Sequence, residues 1–244
     1  MTRDTMTTVL IGIDDTDNDV SRGTGWLARQ LLAECVRRGH GPVGVTRQQF
    51  LLDPRIPYTT HNSGACVSVR TQDGTVPFEF AFDFVAGLSA EGSDPGVCLV
   101  RMDAVPREVV TFGRRAAVEV VEMDEALEVA RRTSIELRPL GGSGLGVIGA
   151  LGAVGLHADG NHGRFIELPG LRELGERVGR EDLTRLGIRL EHRHRRAPRT
   201  DDVYETLGWV RPNLTGGEPV LPVTWSDERH AWLPVDRRRR RPLA

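Results

Sequence analysis

The chain contains no lysine: all 32 of its basic residues are arginines. That absence excludes a Walker-type phosphate lysine, a protein-kinase lysine, and Schiff-base or pyridoxal chemistry. Any bound phosphate must be met by arginine, backbone N–H groups or metal. A GC-rich genome produces the same arginine-only usage. Cysteine is also scarce. Cys35, Cys66 and Cys98 are widely spaced, odd in number and form no Cys-x-x-Cys pair. This spacing fits buried free thiols rather than a zinc ribbon or a disulfide framework. No apolar run approaches the roughly 20 residues that cross a bilayer. Met1 to Thr8 lacks a signal-peptide hydrophobic region, so a cytoplasmic location without membrane association is expected. Aromatics are few, at 5%, whereas 28 glycines in 244 residues put weight on backbone turns.

The net charge of -2 hides an asymmetry. Residues 189–244 hold twelve arginines against eight acids, so that part is basic and residues 1–188 are acidic. A basic C-terminal part suits RNA phosphates, although Arg237 to Arg241 reads as a solvated tail.

Strands and helices intermix, which predicts an α/β or α+β fold of mixed sheets with flanking helices. Val9 to Ile13 is a short apolar run ending in acids and reads as a buried strand. From Trp26 the spacing of Leu27, Leu31 and Cys35 is helical, closed by Arg37, Arg38 and Gly39. Further strands are expected at 43–52, 64–70, 97–101, 164–168, 219–225 and 230–235. Phe78, Phe80, Phe82 and Phe84 recur at period two and predict another strand. Two helices are expected over 106–132, a small-residue helix up to about His157, and a charged helical stretch over 170–187. The expected organisation is a domain over 1–188, a small C-terminal subdomain over 189–236 and a basic tail over 237–244.

The chemistry-bearing segments come early. Asp14, Asp15 and Asp17 lie within four residues at the end of the first strand. Magnesium takes carboxylate, water and phosphate oxygens, so this cluster suits a metal ion held against a triphosphate. In an extended stretch Asp15 and Asp17 would share one side and Asp14 the other. A solvated acidic turn through Asn18 and Asp19 accounts for the spacing equally well. Ser21 to Gly25 precedes the helix, where N–H groups, Arg22 and Gly23 would suit an anion. Thr24 reads either as an N-cap or as a phosphoryl acceptor or relay. A second glycine-rich segment, Gly141 to Gly149, contains Gly144-x-Gly146-x-x-Gly149. It supports a rival dinucleotide-binding oxidoreductase, or simple close helix packing. His61, Asn62 and Gly64 offer a loop edge for substrate, or plain turn chemistry.

In order and approximate spacing, several segments resemble the ATP-using domain of the archaeal tRNA-isoleucine agmatinylcytidine synthetases. They are Gly12-Ile13-Asp14-Asp15-Thr16-Asp17, Thr24 before Trp26-Leu27-Ala28, Asp53 to Tyr58, Asn62-Ser63-Gly64-Ala65, Asp94 to Val97 and Gly146 to Leu151. The resemblance covers residues 9 to about 168, and a ferredoxin-like remnant is the faint counterpart beyond 190. It implies ATP and Mg2+ on the Asp14–Asp17 loop, with Asp14, Asp15 and Asp17 as metal ligands and Asp15 also catalytic. Thr16, Arg22, Gly23, Gly142, Gly144 and Gly146 would contact nucleotide, and His61, Asn62 and Gly64 the substrate. In the family a cytidine carbonyl oxygen is phosphorylated and agmatine displaces it; the family's autophosphorylated threonine aligns with Thr24. The chain has Gly23-Thr24-Gly25 where the family usually has Cys-Thr-Thr. It shows no counterpart of the family's C-terminal nucleic-acid-binding domain or zinc ribbon. The expected enzyme is thus an ATP-dependent kinase or C–N ligase acting on a small-molecule or nucleobase acceptor with an amine, with tRNA as the second choice of acceptor.

Overall fold

The structure, a computed structural model, describes residues 6–56, 61–72 and 78–235. Strand β1 (Thr7–Asp14) leads into helix α1 (Thr24–Arg37), followed by β2 (Gly41–Arg47) and β3 (Ala65–Thr71). Helix α2 (Phe78–Leu88), β4 (Gly96–Arg101), α3 (Arg107–Ala116), α4 (Met123–Thr133), β5 (Glu136–Pro139) and α5 (Gly146–Asp159) come next. The remainder is β6 (Arg164–Glu167), β7 (Arg177–Gly179), α6 (Arg180–Arg185), β8 (Arg189–His192), β9 (Val203–Glu205), β10 (Asn213–Thr215), β11 (Glu218–Ser226) and β12 (Ala231–Pro234). The strands form one mixed sheet in the order β5-β4-β1-β3-β2-β6-β10-β11-β12-β9-β7, with β8 beside β11. The fold is mixed α/β. Among the described residues no helix is long and apolar enough to cross a membrane.

Strand β1 is central because both its faces are covered, which is why it reads as an unbroken apolar run. Val9, Ile11 and Ile13 point into a core with Leu27, Leu31 and Cys35 of α1 and with Ala81 and Val85 of α2. Leu10 points the other way, into a core built with α3, α4 and α5. Gly12 shares that second face. A Cβ on Gly12 would stand 2.1 Å from the Ala150 carbonyl oxygen, so α5 lies directly on the strand backbone. Glycine is needed here for close approach rather than for a turn.

The Phe78–Phe84 segment is helix α2, not the expected strand. Period two also contains i, i+4 pairs, and the rings of Phe80 and Phe84 use that relation, 5.7 Å apart. Ala81, Phe82 and Val85 supply the buried stripe that docks the helix. The 170–187 stretch is likewise not one helix. It breaks into a single 3₁₀ turn at Leu171–Glu173, strand β7 and the short helix α6. Gly170, before the 3₁₀ turn, and Gly187, after α6, are both in the left-handed region.

A third core unites Phe165, Leu171, Leu183, Tyr204, Leu221 and Trp232. It runs across position 189, so residues from β6 onward pack with the C-terminal strands. Between 189 and 235 the described residues form strands β8 to β12 and no helix, unlike a ferredoxin-like βαββαβ unit. Pro57 to Thr60 and the basic tail lie outside the described residues.

Beneath α5, His157 is enclosed between Thr46 Oγ1, 2.8 Å from Nδ1, and Ser68 Oγ, 3.0 Å from Nε2. Burial pushes its pKa down to about 4. The unfolded chain therefore binds a proton between about pH 6.5 and 4 that the folded chain refuses. This contribution to stability is intact above pH 6.5 and lost as pH falls toward 4, by roughly 3 kcal/mol. Urea unfolding at neutral and acid pH is expected to show that acid loss in the wild type relative to His157→Gln. Separately, Gly12→Ala is expected to lower the unfolding free energy at neutral pH by about 1–3 kcal/mol or more, because α5 must lift off β1.

Candidate functional site

The carboxyl end of β1, the N-terminus of α1 and the N-terminus of α5 meet at one cleft. Its walls include Asp14, Asp15, Asp17, Thr24, Asn62 and Gly149. Strand β1 ends at Asp14, opposite Gly96 of β4. Asp15 then adopts a left-handed backbone, with φ of 53°. That turn ends the extended alternation, so all three aspartates line the same cleft instead of splitting across two sides.

Each carboxylate has a different setting. Burial raises the Asp14 pKa to about 7, reinforced by the charges of Asp15 and Asp17 and opposed by the Asp15 N–H and by Arg47. The carboxyl lies under the first turn of α5, where a Cβ on Gly149 would overlap its Oδ2. Asp15 is also raised by burial and by the charges of Asp94 and Asp17, while the Asp94 N–H holds it down. Asp17 turns toward α1. Its Oδ1 accepts from the Thr24 N–H at 3.1 Å and the Thr24 hydroxyl at 2.7 Å.

Thr24 is the first residue of α1 and is buried; the N-cap is Gly23, which has no capping side chain. Asp17 performs that capping from seven residues back. The Thr24 hydroxyl also accepts from Thr16 Oγ1 at 3.1 Å. With an acceptor and a donor in place, the Thr24 proton points at a carboxylate. This is the arrangement of an alcohol nucleophile beside its base.

Asp94, not among the expected site residues, organises the second glycine-rich segment. Its carboxylate accepts from the Ser143 N–H at 2.8 Å and from the Ser143 hydroxyl, and its carbonyl accepts from the Gly146 N–H. The link holds the loop before α5 while Gly142 and Gly144 take left-handed conformations. Gly146 and Gly149 then line the cleft, whereas Gly142 and Gly144 do not. The α5 N-terminus thus brings a positive dipole end to the carboxylates, while the N–H groups of Gly146, Val147 and Ile148 are taken by the carbonyls of Asp94, Gly144 and Leu145. The dinucleotide reading of this segment fails on topology. Strands β5 and β6, before and after α5, pair antiparallel with β4 and β2, and a Rossmann unit needs parallel neighbours.

The remaining expected site residues divide. His61 and Asn62 line the cleft, and Gly64 lines the adjoining depression with Gly23. The Asn62 side chain donates to the Leu51 carbonyl at 2.7 Å and so closes its own loop. Thr16 is buried behind Thr24. Arg22 lies outside the cleft walls, its guanidinium 5.1 Å above the Trp26 ring. Phe50, Ile148 and Val121 form an apolar wall that only the tertiary fold brings together.

The donor set fits a hard cation beside phosphate: carboxylate oxygens and a helix N-terminus, with no soft ligand. Among the described residues no three carboxylate, imidazole or thiol groups gather into a protein-only metal cage. Magnesium needs none, since it usually keeps waters and shares one or two carboxylates with substrate phosphates.

No protein-family model matches the chain. An uncharacterized protein of Methanocaldococcus jannaschii is 33% identical over 156 residues, 62% of this chain and 50% of that protein. The isoleucine-tRNA 2-agmatinylcytidine synthetase TiaS of Methanocorpusculum labreanum is 30% identical over 151 residues, 60% of this chain and 34% of that protein. The structure of TiaS in complex with its isoleucine tRNA and ATP superposes with a TM-score of 0.53 at 31% identity, covering 61% of this chain and 36% of that one. TiaS in complex with the same tRNA, AMPCPP and agmatine gives 0.52 at 28% identity, with the same coverage. The chain therefore spans half the length of one relative and about a third of the others. Over about 60% of its own length it is similar to TiaS in sequence and in fold.

Proposed function

We propose that this chain is an ATP-dependent synthetase that phosphorylates a carbonyl oxygen of a nucleobase carried by RNA and lets an amine displace the phosphate. The observation that carries the reading is the cleft, in which Asp14, Asp15 and Asp17 converge with a hydrogen-bonded Thr24 under the α5 N-terminus. The segments forming it are among those on which the sequence resemblance rests, and TiaS has been solved with tRNA and ATP, and with tRNA, AMPCPP and agmatine. Those relatives favour an RNA-borne acceptor over the small molecule expected from the sequence.

In this reading Gly146 and Gly149, which line the cleft without side chains, let phosphate oxygens approach the positive end of α5. Asp15 and Asp14 hold Mg2+, which supplies charge neutralisation for the phosphates when bound. Asp17 orients the Thr24 hydroxyl and accepts its proton if the threonine takes up a phosphoryl group. A phosphorylated carbonyl oxygen leaves as inorganic phosphate when the amine nitrogen attacks the ring carbon, which turns a poor leaving group into a good one. Phe50, Ile148 and Val121 exclude water from that attack.

Incubation with ATP, Mg2+, an amine panel and RNA, following nucleotide products, tests the reading. Asp15→Ala is expected to reduce magnesium-dependent ATP turnover by about 10²-fold or more. Unchanged turnover in that variant sinks the assignment. Intact-mass measurement after ATP treatment is expected to show a gain of one phosphate that disappears in Thr24→Ala and persists in Thr24→Ser.

A further inference from the structure

Asp17 and Thr24 stand between two hollows. One is the cleft; the other is the adjoining depression, which they line together with Gly25, Trp26, Arg29 and Trp209. The depression thus opens on the same two side chains as the cleft. A second substrate seated there lies next to an atom activated in the cleft.

Two charges on the wall of the depression lack a full complement of partners. Asp17 Oδ1 takes both bonds from Thr24, and its Oδ2 carries no hydrogen bond among the described residues. That oxygen lies beside Gly23, where a Cβ would stand 3.7 Å from it. Arg29 donates Nε to the Gly25 carbonyl at 3.3 Å, which folds its guanidinium back along α1 toward Thr24. Among the described residues Arg29 makes no ion pair, and Glu167, whose charge it senses, is bonded to Arg172 at 2.6 Å. Burial, then the charges of Arg172 and Arg22, hold the Arg29 pKa below its usual value. The other two arginines on this wall are engaged within the chain: Arg47 donates to Ser63 Oγ at 2.9 Å, and Arg211 lies 3.9 Å from the Trp209 ring centre.

We infer that the depression holds the amine co-substrate and that this amine is a short amino carboxylate, bound as a zwitterion with its ammonium at Asp17 Oδ2 and its carboxylate at Arg29. The inference rests on the proposed amine displacement. One acid oxygen and one guanidinium match one ammonium and one carboxylate. A dicationic amine such as agmatine finds no second acid, since Asp17 is the only carboxylate on this wall among the described residues. Its guanidinium would also compete for rings that already carry the chain's own: Arg211 and Arg172 on Trp209, and Arg22 on Trp26. Arg29 repels a second cation and grips a carboxylate through charge-assisted, bidentate bonds, so the depression selects by both attraction and repulsion. In the reaction the ammonium sheds one proton to water, and the freed lone pair forms the C–N bond to the ring carbon. The C–O bonding pair leaves with inorganic phosphate, and the nitrogen sheds a second proton to water.

The test is saturation-transfer NMR on the full chain with Mg2+ and AMPCPP, titrating glycine, β-alanine, glycinamide and agmatine to millimolar concentration. Glycine or β-alanine is expected to bind about tenfold more tightly than agmatine and than glycinamide, which lacks the carboxylate charge. Arg29→Gln is expected to abolish that preference and Arg29→Lys to keep part of it. Arg29→Glu is expected to invert it in favour of agmatine, a reversal that misfolding cannot produce. Arg131→Gln, on α4 and paired with Glu128, is expected to bind as the wild type does. The inference is overturned if neither amino carboxylate binds, if the wild type binds agmatine as tightly as either of them, or if the preference survives in Arg29→Gln. Carboxylate-selective binding together with undiminished ATP turnover in Asp15→Ala keeps the amino-carboxylate site and discards the proposed reaction. Turnover lost in Asp15→Ala without carboxylate-selective binding discards this inference alone.

Discussion

Helix α5 touches β1 and β4 backbone to backbone, and the rest of the site depends on that approach. Gly12, Gly96, Gly146 and Gly149 leave no room for a Cβ at the contact. Because the helix sits so low, its first turn ends over Asp14, at the point where β1 leaves the sheet. The positive end of the helix dipole then stands above carboxylates that burial would otherwise make costly. A helix held farther from the sheet by side chains at these glycines would move its N-terminus away from them.

The consequence is a division of labour among three acids that look alike in the chain. Asp14 is enclosed and its carboxyl is raised toward neutrality. Asp17 is committed to Thr24 and to the start of α1. Asp15 lies between them, turned by its left-handed backbone toward Asp94. Asp94 in turn ties the loop that starts α5 to the loop that precedes β4. The two glycine-rich segments, more than a hundred residues apart, thus become two sides of one cleft.

The all-arginine composition acquires a structural reading in the same way. Many arginines pair locally with carboxylates, as in Arg131 with Glu128 or Arg196 with Asp202. Those pairs are surface trim of small energetic weight, or pins within the C-terminal core. Arg47 of β2 and Arg164 of β6 are brought opposite each other by strand register and not by local sequence.

Several features could be read from the residues alone. The apolar run of β1, the stripe Leu27, Leu31 and Cys35 of α1, and the small-residue helix α5 follow from periodicity that local chain geometry enforces. The acidic loop and Thr24 were legible as candidates because their chemistry sits in a few consecutive residues. The Phe78–Phe84 segment was not legible, since its spacing satisfies a strand and a helix alike and only docking against α1 decides. The short strands β8, β9 and β10 carry too few residues for any period to register. The role of Asp94 and the pairing of Arg47 with Arg164 had no local signal, because they arise through partners distant in the chain. Local periodicity belongs to the sequence; which carboxylate faces which helix end is decided by strand pairing and by how closely α5 can approach the sheet.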